Sequence, residues 1–251
     1  DWSSDVCSSD LQGEVSWKYV LNNNALQSLA QGATATQSFS LELQDSAGAI
    51  DLLNVTLSIT GVNDDAVILG GNPESATSDQ ADVLEDASAP EGFEQASGRL
   101  VFTDVDTGDV HAVVGILSSP DALGEFTAEL GKGPIGKLPK GMVTGSDGGI
   151  VWDYSVDNHL IQSMADGEHR TETFTILLND GTSTVSHDVH ITLTGSNDIA
   201  TLGGKVSGSV DEDGVLQVGG ALTVSDADHD QSLVQAQSQV AGTYGSFSID
   251  A

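Results

Sequence analysis

The sequence predicts an all-β chain built from tandem β-sandwiches, one complete and two partial. Three observations point there: a long internal repeat, strand-like alternation inside each repeat, and short turn signals rich in Gly, Asn and Asp between the alternating stretches. GEVSWKYVLNNNALQSLAQG, from Gly13, matches GGIVWDYSVDNHLIQSMADG, from Gly148. Trp17 falls on Trp152, Tyr19 on Tyr154, Gly32 on Gly167, Phe39 on Phe174 and Asp45 on Asp180. The match closes with TGVND ending at Asp64 and TGSND ending at Asp198. A second match covers the rest of the unit. Glu85-Asp86 followed by FTDVD, ending at Asp106, parallels Glu212-Asp213 followed by VSDAD, ending at Asp228, and LGEF around Phe126 parallels YGSF around Phe247.

Taken in order, residues 1–11 stand apart from the repeat. DWSSDVCSSDL reads as the translation of a common sequencing adapter and is set aside as a scar, together with the only cysteine, Cys7. Without Cys7 there are no disulfides, zinc–cysteine sites or thiol chemistry to consider. Residues 12–64 are the C-terminal half of a unit, 65–198 one complete unit and 199–251 the N-terminal half of another. The expectation is a fragment of a longer parent. Each half-unit lacks the strands that complete its core and should be unstable alone.

Alternation supports each strand. In TETFTILLND, Phe174, Ile176 and Leu178 share one face; in SHDVHITLTG, Val189, Ile191 and Leu193 do. Trp152 and Tyr154, two apart, point together into the core. Only ALQSLAQ and LIQSMAD look helical, and one turn at a sandwich crossover accounts for them. Two insertions mark the complete unit: APEGFEQ at 89–95, read as a longer first connection, and LGKGPIGKLPKGMV at 130–143. The second holds Lys132, Lys137 and Lys140 and is expected to be a protruding loop, either a solvated hairpin extension or a contact for an acidic partner.

Charge narrows the partners. With 38 acids against 7 bases the formal charge is −31, which repels nucleic-acid phosphates and anionic membranes. No stretch approaches the roughly 18 apolar residues of a membrane span. The acids are dispersed among β-formers, which argues against an acidic disordered tail. Acidity alone could serve solubility, but a compact chain of this charge gains from bound cations.

The acids gather at the seams between units. Asn63, Asp64 and Asp65 form the first linker, and Asn197 and Asp198 the second; downstream of them lie Glu85 or Glu212, then the DxD pairs Asp104/Asp106 and Asp226/Asp228. Calcium takes six to eight hard oxygens from such groups. Both carboxylates of a DxD in an extended strand project to one side. Asn-Asp and Asp-Gly are also turn formers, yet recurrence at both seams favours ligation. His187 and His190, three apart on a strand, face opposite ways and do not make a metal pair. No nucleophile elbow and no HExxH sequence is present. The acids recur at turn positions, so no catalytic role is expected.

These motifs resemble the VCBS repeat, a cadherin-like module of large bacterial surface and secreted proteins. The resemblance rests on DVDTGD at 104–109, the GxxxWxY strands at 13–19 and 148–154, the QSLAQG and QSMADG turns, LLNDG at 177–181 and the closing TGxND. It implies Ig/cadherin-like Greek-key sandwiches, an extracellular location, RTX-type adhesins exported by type I secretion, and Ca2+ at linker and DxD positions. Glycine-rich calcium-binding nonapeptides are absent from the sequence. The function expected is a calcium-stiffened extender of an adhesin. The alternatives are a glycan- or protein-binding module, or an accessory region of a secreted hydrolase.

Overall fold

The computed structural model describes residues 15–70, 78–88, 92–131 and 148–250. The adapter-like residues 1–11 and the three lysines of the 130–143 insertion lie outside them. Two compact units divide the chain, Asp1–Val62 and Asn63–Ala251.

The first unit holds strands β1 (Thr34–Gln44) and β2 (Ile50–Thr60), an antiparallel hairpin in which Thr34 faces Thr60 and Gln44 faces Ile50. Its turn is an Asx turn: Asp45 Oδ1 accepts from the Ala47 and Ala49 amides, at 2.9 and 2.8 Å.

The second unit contains the complete sandwich. Its strands are β3 (Val67–Leu69), β4 (Gln80–Leu84), β5 (Phe93–Thr103), β6 (Ala112–Ser118), β7 (Glu125–Leu130), β8 (Gly148–Asp157), β9 (His169–Asn179) and β10 (Thr184–Thr194). They form two four-stranded sheets, β3-β5-β8-β7 and β4-β10-β9-β6. Among the described residues only the pairing of β4 with β10 is parallel. The first edge is thus divided: β3 closes one sheet and β4 crosses to the other. The remaining strands fall into the two sheets of an immunoglobulin-type Greek key.

Both inner faces alternate as the sequence requires. Leu100, Ile150, Trp152, Val156, Phe174, Ile176, Leu178, Val189, Ile191 and Leu193 are all buried in one core. Phe126 stacks between Trp152 and Phe174, with ring centroids 5.6 and 4.6 Å apart. Tyr154 buries its ring and donates its hydroxyl to Glu172 Oε2 at 2.9 Å. Glu172 also accepts from the amides of Leu123 and Gly124, tying the β6–β7 connection to β9. In the hairpin unit, Tyr19 donates to Gln37 at the matching positions, 3.1 Å. The helical-looking LIQSMAD, 160–166, starts at the last residue of a 3-10 turn, Asn158–Leu160, and runs on as turns between β8 and β9, where the chain changes sheets. ALQSLAQ likewise follows a short turn at Asn23–Ala25.

One expectation is corrected. APEGFEQ is not wholly a connection, because Phe93–Gln95 already pair with Ser155–Asp157 of β8. Glu94 is buried and accepts from the Ser88 amide and hydroxyl, at 3.0 and 2.9 Å. The inserted segment therefore lengthens a strand.

After the sandwich come two ribbons. β11 (Thr201–Gly204) pairs with β12 (Leu222–Ser225), and β13 (Gln237–Ala241) with β14 (Ser246–Ile249). Residues 207–211 match β4 in sequence order before the Glu-Asp pair, yet no strand forms there. A strand like β4 exists only by pairing with one like β10.

Candidate metal centres

The loop after β5 builds the first cluster. Asp104, Asp106 and Asp109 bring one carboxylate oxygen each to within 4.8 Å of the others. They converge by a mechanism other than strand alternation. The Asp106 amide donates to Asp104 Oδ1 at 2.9 Å, an Asx turn that curls the backbone after Thr103. Gly108, at φ +98, takes the left-handed step that returns Asp109 to the same side. The linker joins the cluster as well: the Asp64 amide donates to Asp106 Oδ2 at 2.8 Å. Asn63 Nδ2 donates to Asp180 Oδ2 at 3.2 Å, and the Ser183 hydroxyl bridges Asp65 and Asp180 at 2.6 and 2.8 Å. Asp180 belongs to the β9–β10 turn, so three separate elements deliver acids to one end of the sandwich.

The second cluster repeats the backbone plan. The Asp228 amide donates to Asp226 Oδ1 at 3.2 Å, and the Asp198 amide to Asp228 Oδ2 at 3.0 Å. Asp230, at φ +63, stands where Gly108 does. Asn197 is exposed, its amide nitrogen donating to the Asp198 carbonyl at 2.8 Å.

Glu85 and Asp86 join this second cluster. Sequence order puts them downstream of the first linker, in company with Asp104 and Asp106. However, β4 runs parallel to β10 and ends beside its C-terminus, at the opposite end of the sandwich. There Glu85, almost wholly buried, accepts from the Ser196 amide at 2.9 Å and from Gln162 at 3.2 Å. Asp86 sits in a left-handed turn, φ +58, exchanging hydrogen bonds with Asn158. Asp213 repeats that turn at φ +61, while Glu212 is exposed and stands in neither cluster. His229, next to Asp228, donates its amide to the Ser163 carbonyl at 3.2 Å.

Electrostatics show what the carboxylates lack. Burial pushes Glu85 up from 4.5 to about 7, with Asp198, Asp86 and Asp228 adding repulsion. Asp198 is raised by burial and by Asp86, Asp228 and Asp226. Asp106 and Asp109 are raised by burial and by their carboxylate neighbours, including Asp104 and Asp180. Asp180 is the exception. Burial acts upward on it too, but bonds from Ser183, Thr182 and Asn63 hold it well below the usual range. Asp109 Oδ2, Asp198 Oδ2 and Asp228 Oδ1 are buried without a hydrogen-bond donor. Converging hard oxygens, mutual repulsion and buried acceptors left over are what a divalent cation such as Ca2+ would satisfy.

No family model matches the chain, and no curated protein matches it. Among solved structures, it is similar to the zebrafish RET cadherin-like domains 1 to 4 at 14% identity and TM-score 0.27, covering 64% of this chain and 33% of that one. It is similar to the PcdhgB3 EC1-4 chain at 13% identity and TM-score 0.30, covering 71% and 36%. Domains 1-6 of the surface layer protein SbsC align at 10% identity and TM-score 0.27, covering 87% and 32%. This chain spans about a third of each of those chains.

Asp109 and Asp180 are acids of the first cluster beyond the linker and DxD positions that the sequence points to. Both lie inside motifs that are visible there, DVDTGD and LLNDG. His187 and His190 behave as expected: His187 turns toward Asp79 at 3.4 Å, while His190 meets Thr173 at 3.1 Å on the outer face. Among the described residues, no helix is long and apolar enough to cross a membrane.

Proposed function

We propose that this chain is a calcium-stiffened extender segment of a large secreted or surface-bound bacterial adhesin of the VCBS, RTX-exported type, acting in cell adhesion and biofilm formation without catalysis. One observation carries the reading. The two acidic clusters repeat the same bonds, a linker Asp amide on the second Asp of a DxD, at opposite ends of one sandwich. A tandem array built this way carries a cluster at every seam, and its partners along the chain are the neighbouring repeats.

Ca2+ is held in the first cluster by Asp64, Asp104, Asp106, Asp109 and Asp180. In the second it is held by Glu85, Asp198, Asp226 and Asp228. Bound calcium replaces carboxylate repulsion with shared coordination and fixes the linker, so the array extends as a rod. Extracellular modules of this kind bind at about 10⁻⁴–10⁻³ M, which matches calcium outside cells. Small-angle scattering and limited proteolysis with calcium and with chelator test this. Expected are a longer, narrower particle and slower cleavage near residues 62–65 and 196–200 when calcium is present. Superimposable profiles overturn the stiffening role.

A further inference from the structure

We propose that His111 is a positioning residue that preorganises Asp104 in the first cluster and gives that cluster the tighter calcium site of the two; this rests on the calcium reading above. His111 Nε2 lies 2.9 Å from Asp104 Oδ2, and the two side chains are 6% and 0% exposed. An ionised carboxylate only accepts, so the imidazole carries a proton on Nε2. The ring packs on Phe102 with centroids 4.6 Å apart, and Phe102 belongs to the core. Asp104 Oδ1 is meanwhile held by the Asp106 amide. Both oxygens of Asp104 are thus held in place, Oδ1 by the Asp106 amide and Oδ2 by His111 from outside the cluster, and each retains a lone pair for a cation.

The matching stretch around the second cluster shows what the imidazole adds. FTDVDTGDVH at 102–111 aligns with VSDADHDQSL at 224–233, so Phe102 meets Val224, Asp109 meets Gln231 and His111 meets Leu233. Leu233 is 85% exposed and has no polar side-chain atom to hold Asp226. The Asp228 amide still reaches Asp226 Oδ1, but at 3.2 Å against 2.9 Å in the first cluster. A ligand with one fixed oxygen must be ordered by the ion, whereas one with both fixed is ordered beforehand. Outer partners of metal ligands are typically worth about 10–100-fold in metal affinity.

Calcium titration of the full chain, followed by NMR on the Asp64 and Asp198 amides, reads the clusters separately. In the unaltered chain the Asp64 amide should saturate at lower calcium than the Asp198 amide. His111→Phe keeps a ring on Phe102 and removes the donor; the Asp64 midpoint should move up about tenfold or more while Asp198 holds. His111→Gln, which returns an N–H near the Nε2 position, should recover much of the loss. Nitrogen shifts of the unaltered, calcium-free chain should show His111 protonated on Nε2. An Nδ1–H tautomer, or an unmoved Asp64 midpoint in a folded His111→Phe chain, overturns the assignment and leaves the calcium reading standing. Two amides indifferent to calcium in the unaltered chain overturn both.

Discussion

The two acidic clusters share their backbone bonds and differ in what folds against them. Each has an Asx turn within a DxD and a linker amide capping its second Asp. Around that frame the first cluster collects Asp109 from its own loop and Asp180 from a turn far along the chain. The second collects Glu85 from the preceding sandwich. A short repeated motif therefore dictates the local geometry, and long-range strand pairing dictates the charge set. The seam between residues 198 and 199 is where one sandwich supplies acids to the next segment.

The sharpest way to break this comparison is to neutralise one acid at a time. Asp106→Asn should weaken calcium binding at the first cluster by about a hundredfold and leave the second untouched, with Asp228→Asn doing the reverse. In chelator both substitutions should raise stability, by about 1 kcal/mol, because each removes a like charge from a repelling group. Calorimetry gives the affinities and thermal unfolding the sign reversal. Equal loss at both clusters from either variant would show that they are not separate sites.

Proton linkage sharpens it next. Glu85 is raised to about 7 in the folded chain, so the folded state holds a proton that the unfolded state releases near 4.5. Between those values stability falls as pH rises, and the loss is complete above about 7. Without calcium the chain should therefore be less stable at pH 8 than at pH 5, by the order of 1–3 kcal/mol. Asp106, Asp109 and Asp198 contribute with the same sign. Glu85→Gln should flatten most of the slope, as read by denaturant unfolding at the two pH values. A slope unchanged in that variant would place the linkage elsewhere.

The smallest effect belongs to Asp180. Its lowered pKa means a contribution present above the ordinary carboxylate value and lost as pH falls through the acid range. Asp180→Ala should cost about 1–2 kcal/mol above pH 5 by freeing the β9–β10 turn and Asn63, with no effect on the Asp198 amide.

Much of the fold was legible because strands declare themselves by alternation. Phe174, Ile176 and Leu178 face inward as their spacing requires, and Trp152 and Tyr154 lie in the core. The same pattern did not ensure burial elsewhere. Trp17 is 57% exposed where Trp152 is 1%, and Phe39 41% where Phe174 is 1%. Periodicity states which face is apolar; only a facing sheet can cover it. The linker and DxD acids stand out in the sequence because the motif recurs at both seams, although the linker acids bond to partners far along the chain. Glu85 was displaced to the other cluster because parallel pairing of β4 with β10 leaves no periodic mark. Asp180 was passed over because an Asn-Asp-Gly turn explains itself locally, although Asp45 at the matching position hinted that the acid recurs.

Calorimetric titration of the full chain with Ca2+, paired with thermal unfolding, asks the central question most directly. Two binding steps with Kd about 10⁻⁴–10⁻³ M are expected, and a melting temperature that climbs with calcium, by the equivalent of about 2.7 kcal/mol per site at a hundredfold excess. No heat and an unmoved melting temperature would mean that the carboxylates at these seams do not bind calcium.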